Sequence, residues 1–271
     1  MLFFSKMEAT ANDFIIIDTI DNNFLYDIKL LSKYLCDRNR GIGADGVIFL
    51  YRSKIANFKM RIINKDGTEA EMCGNGIRCL AKYIHEKYLN DKKIFNIETL
   101  AGVKTVEILN NGKEVKIDMG RPIFSYKKIP VFYEDNKSID IKIENDIYEF
   151  FPISMGNPHA ICFRDNIEQI DLEKIGKIVE NYKYFPNKTN VEFAQIINRN
   201  NIKLRVWERG VGETMSCGTG TTAAVIVANK KNLTDNEVNV ELKGGKLKAI
   251  YDENAYLIGE ARNVFEGKID L

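Results

Sequence analysis

The chain has 271 residues and a formal charge of +1, from 39 Lys+Arg against 38 Asp+Glu. That is too weak a field to collect nucleic acid or an anionic membrane, so neither is expected as a partner. Hydrophobic residues at 45% and charged residues at 28% fit a globular protein with a substantial core, in one large domain or two ordinary ones. "MLFFSKMEAT" lacks the basic lead and apolar stretch of a signal peptide, and "TTAAVIVAN" at 221–229 is far too short to span a bilayer. A cytoplasmic protein is the expectation.

In chain order, period-two patterning rich in Ile, Val and Phe predicts strands at "DFIIID" (13–18), "GVIFLY" (46–51), "FKMRIIN" (58–64), "KTVEIL" (104–109) and "EVKIDMG" (114–120). The second half repeats the signal at "AICF" (160–163), "VEFAQII" (191–197), "IKLRVWE" (202–208), "NVELKG" (239–244) and "KLKAIY" (246–251). Helical spacing marks "IKLLSKYLCDR" (28–38), "GIRCLAKYIHEKYL" (76–89) and "DLEKIGKIVENY" (171–182). "GTTAAVIVANK" (220–230) is shorter and rich in small residues, which suits a buried central helix.

Five cysteines at irregular spacings argue against a disulfide framework. Two of them recur in matched surroundings. Aligning Cys73 with Cys217 sets "KMRIINKDGTEAEMCGNG" (59–76) against "KLRVWERGVGETMSCGTG" (203–220). The identities are Lys59/Lys203, Arg61/Arg205, Glu69/Glu213, Cys73/Cys217, Gly74/Gly218 and Gly76/Gly220. A looser echo pairs "ANDFIII" at 11–17 with "GNPHAICF" at 156–163. Each half therefore reads as strand, loop, thiol at a turn, then helix. Duplicated halves would bring their two sites to a shared cleft, a common place for a ligand. The boundary is expected near Gly120-Arg121-Pro122.

Cys-Gly-x-Gly before a helix has two chemical uses. The unpaired N–H groups and positive dipole end of the helix attract a carboxylate. The same field favours the thiolate of a neighbouring cysteine. Inverting a stereocentre requires a proton removed from one face and another delivered to the opposite face. Two thiols suit that task, and the carbanion beside the carboxylate would be stabilised by two helix starts. No P-loop or cofactor cradle is evident, so no cofactor is expected.

The order of "KMEATANDF", "NKDGTEAEMCGNGIRC", "SMGNPHA", "TNVEFAQ", "WERGVGETMSCGTG" and "ARNVFEGKI" along nearly the whole chain resembles the diaminopimelate epimerases. The resemblance implies a cofactor-independent isomerase that interconverts LL- and meso-diaminopimelate, a small diamino-dicarboxylate, on the route to lysine and peptidoglycan precursor. It implies an α/β fold of α+β type: two pseudo-symmetric lobes, 1–119 and 120–262, each a mostly antiparallel sheet around a central helix. Residues 263–271 would return to the first lobe. Cys73 and Cys217 would be the proton donor and acceptor. Gly74 and Asn75, with Gly218 and Thr219, would form the helix-start loops that hold the reacting carboxylate and amine. Asn12, Asn64, Asn157, Asn190, Glu208 and Arg209 would read the substrate, and His159 and Glu208 would adjust the thiols. Arg209 suits a second carboxylate, and Glu208 an ammonium. A homodimer is left open as the assembly. Where some relatives carry a substrate-contacting glutamine, this chain has Gly46.

Two rival readings are a proline or hydroxyproline racemase on the same scaffold, and a thiol-redox or zinc protein. The first would keep the thiols with less need for Asn64, Asn190, Glu208 and Arg209. The second lacks Cys-x-x-Cys or closely spaced histidines. Cys36, Cys79 and Cys162 read as buried hydrophobes. Asn23, Asn110, Asn111 and Asn136 read as turn formers, Trp207 as core, and His85 as solvated helix surface. "GIGADG" at 41–46 lacks the glycine spacing and following helix of a dinucleotide loop.

Overall fold

The computed structural model describes residues 1–20, 24–133 and 138–271; the turns expected at Asn23 and Asn136 lie outside them. The chain divides into two units, Met1–Asp118 with Ile258–Leu271, and Met119–Leu257.

In the first unit, β1 (Leu2–Ala9), β2 (Asn12–Asp18), α1 (Ile28–Cys36), β3 (Gly46–Tyr51), β4 (Phe58–Asn64), β5 (Glu69–Ala70), α2 (Gly74–Tyr88), β6 (Ile94–Thr99), β7 (Gly102–Leu109) and β8 (Glu114–Gly120) follow in order. The second holds β9 (Ile139–Ile143), β10 (Asp146–Ser154), β11 (Pro158–Phe163), α3 (Leu172–Glu180), β12 (Asn190–Asn198), β13 (Asn201–Glu208), β14 (Gly212–Thr214), α4 (Gly218–Lys230), β15 (Glu237–Leu242) and β16 (Gly245–Tyr251). β17 (Ala255–Glu260) leads into β18 (Arg262–Ile269), which pairs antiparallel with β1 in the first unit.

The two units share one strand plan. In the first, the order β18-β1-β2-β3-β4-β6-β7-β8 is antiparallel except at β2/β3 and β4/β6. In the second, β9-β10-β11-β12-β13-β15-β16 is antiparallel except at β11/β12 and β13/β15. A parallel pair requires a crossover, and in each unit helices occupy both crossovers: α1 and α2 in one, α3 and α4 in the other.

The near-continuous apolar runs follow from strands covered on both faces. Ile15, Ile17, Val47, Phe49 and Ile63 pack with Leu31 and Leu35 of α1 in one cluster. On the other face, Ile48 and Ile62 reach the first turn of α2 at Gly76. α2 is packed by β1, β2, β3, β4, β7 and β18, and α4 by β10, β11, β12, β13 and β16. Residues 220–228 of α4 are all buried, the Thr221 and Thr222 hydroxyls donating back to Cys217 O and Gly218 O. The sheet of each unit thus curves round one central helix. α1 and α3 cap the outer face, where Val179 and Leu172 join Val191 and Phe193.

The matched ion pairs explain why the repeat kept its charged positions. Arg61 grips Glu69 across β4 and β5 at 2.7 Å, and Arg205 grips Glu213 across β13 and β14 at 2.9 Å. Lys59 meets Glu98 at 2.7 Å, and Lys203 meets Glu241 at 3.9 Å. Each Arg–Glu pair ties down the hairpin that delivers the thiol.

Candidate active site

Cys73 and Cys217 are the N-cap residues of α2 and α4. Both are in extended conformation, at φ −136°, ψ 120° and φ −130°, ψ 117°. An N-cap side chain normally offers oxygen to the free N–H groups of the first turn. Here sulfur does so, accepting from Gly76 N at 3.5 Å and from Gly220 N at 3.4 Å. A proton leaving either sulfur therefore leaves its charge at the positive end of a helix.

Around Cys73 the partners are amides. Its Sγ lies 3.8 Å from Asn12 Oδ1, which also accepts from Asn75 Nδ2 at 3.3 Å. Asn12 stands at the head of β2, after Thr10 and Ala11, whose φ of 48° and 61° make the tight β1–β2 turn. Its Nδ2 donates to Asp45 Oδ2 at 2.6 Å. Within α2, the fully buried Arg78 donates to Gly74 O (3.1 Å), Asn75 Oδ1 (2.9 Å), Thr10 Oγ1 (3.1 Å) and Glu260 O (3.3 Å). Burial pulls this guanidinium down to about 10. Asn64 ends β4 opposite Gly46, next to Asp45, and donates to Thr68 Oγ1 at 3.0 Å. A Cβ on Gly46 would stand 3.0 Å from Ile63 O, so a glutamine here would require β4 to give way slightly.

Around Cys217 ionisable groups stand behind a hydroxyl and an amide. Thr219 Oγ1 lies 3.4 Å from Sγ and accepts from Asn157 Nδ2 at 3.3 Å. Asn157 Oδ1 faces His159 Nε2 at 3.0 Å, and His159 Nδ1 faces Glu192 Oε1 at 2.7 Å, both residues of that last pair being wholly buried. Burial raises the Glu192 carboxyl, against the charge and hydrogen bond of His159. Burial also raises Glu208, against hydrogen bonds from Thr214 (2.7 Å) and Cys217. The Cys217 thiol is pushed well above its ordinary range by burial, then by Glu208 and Glu192, against Thr219 and the Gly220 N–H. Asn190 heads β12, donating to Pro158 O at 2.8 Å and accepting from Arg209 N at 2.9 Å. The exposed Arg209 side chain reaches Asn187 O at 3.1 Å. Glu180 holds the same loop through Gly210 N (2.9 Å) and Trp207 Nε1 (2.8 Å).

The first unit thus gathers Cys73, Gly74, Asn75 and Asn12, with Asn64 beside Asp45. The second gathers Cys217, Gly218, Thr219, Asn157, His159, Glu208, Asn190 and Arg209. Sequence reasoning missed Thr10, Asp45, Arg78, Glu180 and Glu192. Arg78 had a signal: an arginine at a helix position whose neighbours, Ile77, Cys79 and Leu80, are all apolar. Trp207 packs on the core, and Cys36, Cys79 and Cys162 are buried. Burial pushes Cys36 and Cys162 up to about 12 and raises Cys79 as well. His85 departs from expectation. It is half-buried, with Nδ1 3.0 Å from Leu89 O at the end of α2, where the unpaired carbonyls of a helix seek donors. Among the described residues no group of three or more His, Cys, Asp or Glu converges as metal ligands would, and no helix is long and apolar enough to cross a membrane.

The family model described as diaminopimelate epimerase matches residues 4–125 and 151–264. A diaminopimelate epimerase of Methanococcus maripaludis strain S2 is 45% identical over 276 residues, with 99% of each chain covered. One from Carboxydothermus hydrogenoformans is 46% identical over 273 residues, with the same coverage. In fold, the chain is similar to a Bacillus anthracis phenazine biosynthesis protein of the PhzF family, with TM-score 0.72, 17% identity, and 100% of this chain and 99% of that one covered. It is equally similar to a hydroxyproline epimerase from Agrobacterium vitis, with TM-score 0.72, 12% identity, and coverage of 98% and 91%. Those two likenesses concern the fold, a two-unit α+β arrangement, whereas the full-length sequence matches decide membership: this chain belongs to the diaminopimelate epimerase family.

Proposed function

We propose that this chain interconverts LL- and meso-diaminopimelate, with Cys73 and Cys217 as its two acid–base groups. The observation that supports this most is that each thiol is the N-cap of its unit's central helix, in a chain that belongs to this family. In the reaction, one sulfur, as thiolate, takes the α-proton from one face of the carbon. The other, as thiol, gives a proton to the opposite face, and reversing the roles runs the reaction backwards. The positive dipole ends of α2 and α4, at Gly74–Gly76 and Gly218–Gly220, favour the negative charge that builds on the α-carboxylate. Asn12, Asn64, Asn75, Asn157, Asn190 and Thr219 supply amide and hydroxyl groups for the amines and carboxylates of the substrate. Glu208 and His159 adjust the thiols, and Arg209 takes the distal carboxylate.

This chemistry calls on no pyridoxal phosphate, since the helix starts and thiols carry the charge and the protons. The product feeds lysine and peptidoglycan precursor synthesis, a cytoplasmic task, and a homodimer is compatible with it. The test is α-hydrogen exchange in heavy water over a panel of amino acids including LL-diaminopimelate, proline and hydroxyproline. Exchange and epimerisation confined to diaminopimelate are expected. Turnover of proline or hydroxyproline in its place would overturn the assignment.

A further inference from the structure

The two units carry the same fold but different chemistry beneath their thiols. Register pairs Phe14 with Gly46 and Ile16 with Ile48 in the first unit, and His159 with Asn190 and Ile161 with Glu192 in the second. Phe14 and Ile48 therefore hold the places of His159 and Glu192. Under α2 the first turn meets methyl groups; under α4 it meets a carboxylate. An unbroken series of polar contacts runs from that carboxylate to sulfur: Glu192 Oε1–His159 Nδ1, 2.7 Å; His159 Nε2–Asn157 Oδ1, 3.0 Å; Asn157 Nδ2–Thr219 Oγ1, 3.3 Å; Thr219 Oγ1–Cys217 Sγ, 3.4 Å. Among the described residues Glu192 Oε2 has no hydrogen-bond partner; the carboxyl group is held by the His159 side chain, with the Ala160 backbone N–H as a lesser contact.

We infer that Glu192 is a positioning residue for Cys217, setting through His159 and Asn157 the direction in which the Thr219 hydroxyl proton points. Asn157 Oδ1, an acceptor, faces Nε2 at 3.0 Å, which places a hydrogen on Nε2; the hydrogen between Oε1 and Nδ1 then either rests on Glu192 or makes the ring an imidazolium. The Nε2 hydrogen holds the Asn157 carbonyl towards the ring and its NH2 towards Thr219. With its oxygen accepting from Asn157, Thr219 has its proton free for the sulfur. The opposite tautomer would reverse the amide, and the hydroxyl would then donate to Asn157 instead. The charged and titratable groups facing this cluster are Glu192 on β12, Glu208 on β13 and Cys217 itself. Of the other strands on α4, β10 carries Asp146 and Glu149 and β16 carries Lys246, all exposed, and Lys248 is paired with Glu237.

The inference rests on Cys217 being a working thiol, yet its test needs no substrate. Iodoacetamide labelling of Cys73 and Cys217, followed peptide by peptide against pH, gives a midpoint for each, with Cys73 as internal reference. Replacing Glu192 with methionine keeps the volume and removes the hydrogen-bonding partner of Nδ1. The Cys217 midpoint is expected to rise by about one pH unit, the worth of a lost hydrogen bond to a charged group, while that of Cys73 holds. Simple removal of a nearby negative charge would instead lower it, so a fall or no change overturns the inference. Glu192→Gln, whose amide can still donate to Nδ1, is expected to stay near the parent midpoint. Should Glu192→Met fail to fold, Thr219→Val is expected to raise the Cys217 midpoint and Thr219→Ser to leave it; a midpoint unmoved by valine overturns the inference. The chain has two histidines, so long-range proton–nitrogen NMR of the imidazoles reads the tautomer directly. An Nε2 without hydrogen in the unaltered protein also overturns it. Loss of diaminopimelate turnover with these results intact would count against the proposed reaction alone.

Discussion

Gly220 lies against Glu192 so closely that a Cβ would stand 2.5 Å from Oε1, whereas at its counterpart Gly76 the nearest atoms would be the Ile48 and Ile62 methyl ends at 3.1 and 3.2 Å. The carboxyl group is held by His159 Nδ1 at 2.7 Å and gives way less readily than a methyl end. Gly220→Ala is expected to cost about 1–3 kcal/mol by overpacking, and to lower epimerase kcat about tenfold, as a displaced group worth 1.4 kcal/mol would. Gly76→Ala should cost less, because aliphatic ends yield more readily. Thermal melts and initial rates of the two variants, side by side, check this ordering.

Cys73→Ala and Cys217→Ala are each expected to reduce epimerisation by about three orders of magnitude or more, the range of a lost general acid–base group, with the circular dichroism of the parent retained. Cys79→Ala, on the buried side of α2, should cost about 1 kcal/mol of stability and leave turnover intact. Substantial epimerisation by either of the first two would remove the two-thiol reading.

Arg78 binds four oxygens in the first unit, two of them backbone carbonyls. Lysine has the charge without the planar fork. Arg78→Lys is expected to destabilise by about 3 kcal/mol, as does a buried charge that loses its partners. KM should rise more than kcat falls, since Asn75 and Gly74 lose their support. Denaturant titration and steady-state kinetics measure the two effects.

Asp13 anchors β2 through Lys6 at 2.6 Å and Arg38 at 2.8 Å. Burial lifts its carboxyl, but the hydrogen bonds from Arg38 and Lys6 outweigh it and hold the group well below the usual carboxylate range. A depressed folded-state value contributes stability above the unfolded value of about 3.9, and that stability is lost as pH falls through the folded value. Unfolding free energy is therefore expected to drop below about pH 4. Asp13→Asn should flatten that drop and cost about 2 kcal/mol at pH 7. Urea titrations at pH 3, 4 and 7 decide it; an unchanged acid limb would show that Asp13 is not its source.

The four helices and the long apolar strands were legible because spacing alone identifies an amphipathic or wholly buried segment. β5 and β14, of two and three residues, are too short to carry a period. β10 contains Pro152, which weakens a strand pattern, yet the residue pairs with Ala160. The paired thiols were legible through repetition. Glu192 was not, because an acidic residue between Val191 and Phe193 reads as the solvent side of an alternating strand. β12 has no solvent side at that point: 191 and 193 face α3, and 192 faces the first turn of α4. Asp45 and Thr10 were hidden in turns, where their residue types are ordinary.

β18 lies beside β1 as β9 lies beside β10, but β9 precedes its neighbour directly while β18 arrives more than 250 residues after β1. During synthesis on a ribosome the second unit receives its strands in succession. The first must keep the hydrogen-bonding rim of β1 open until residues 262–269 emerge. Premature termination before that point would leave an adhesive border on the nascent protein, and chaperone demand should concentrate on that interval of translation.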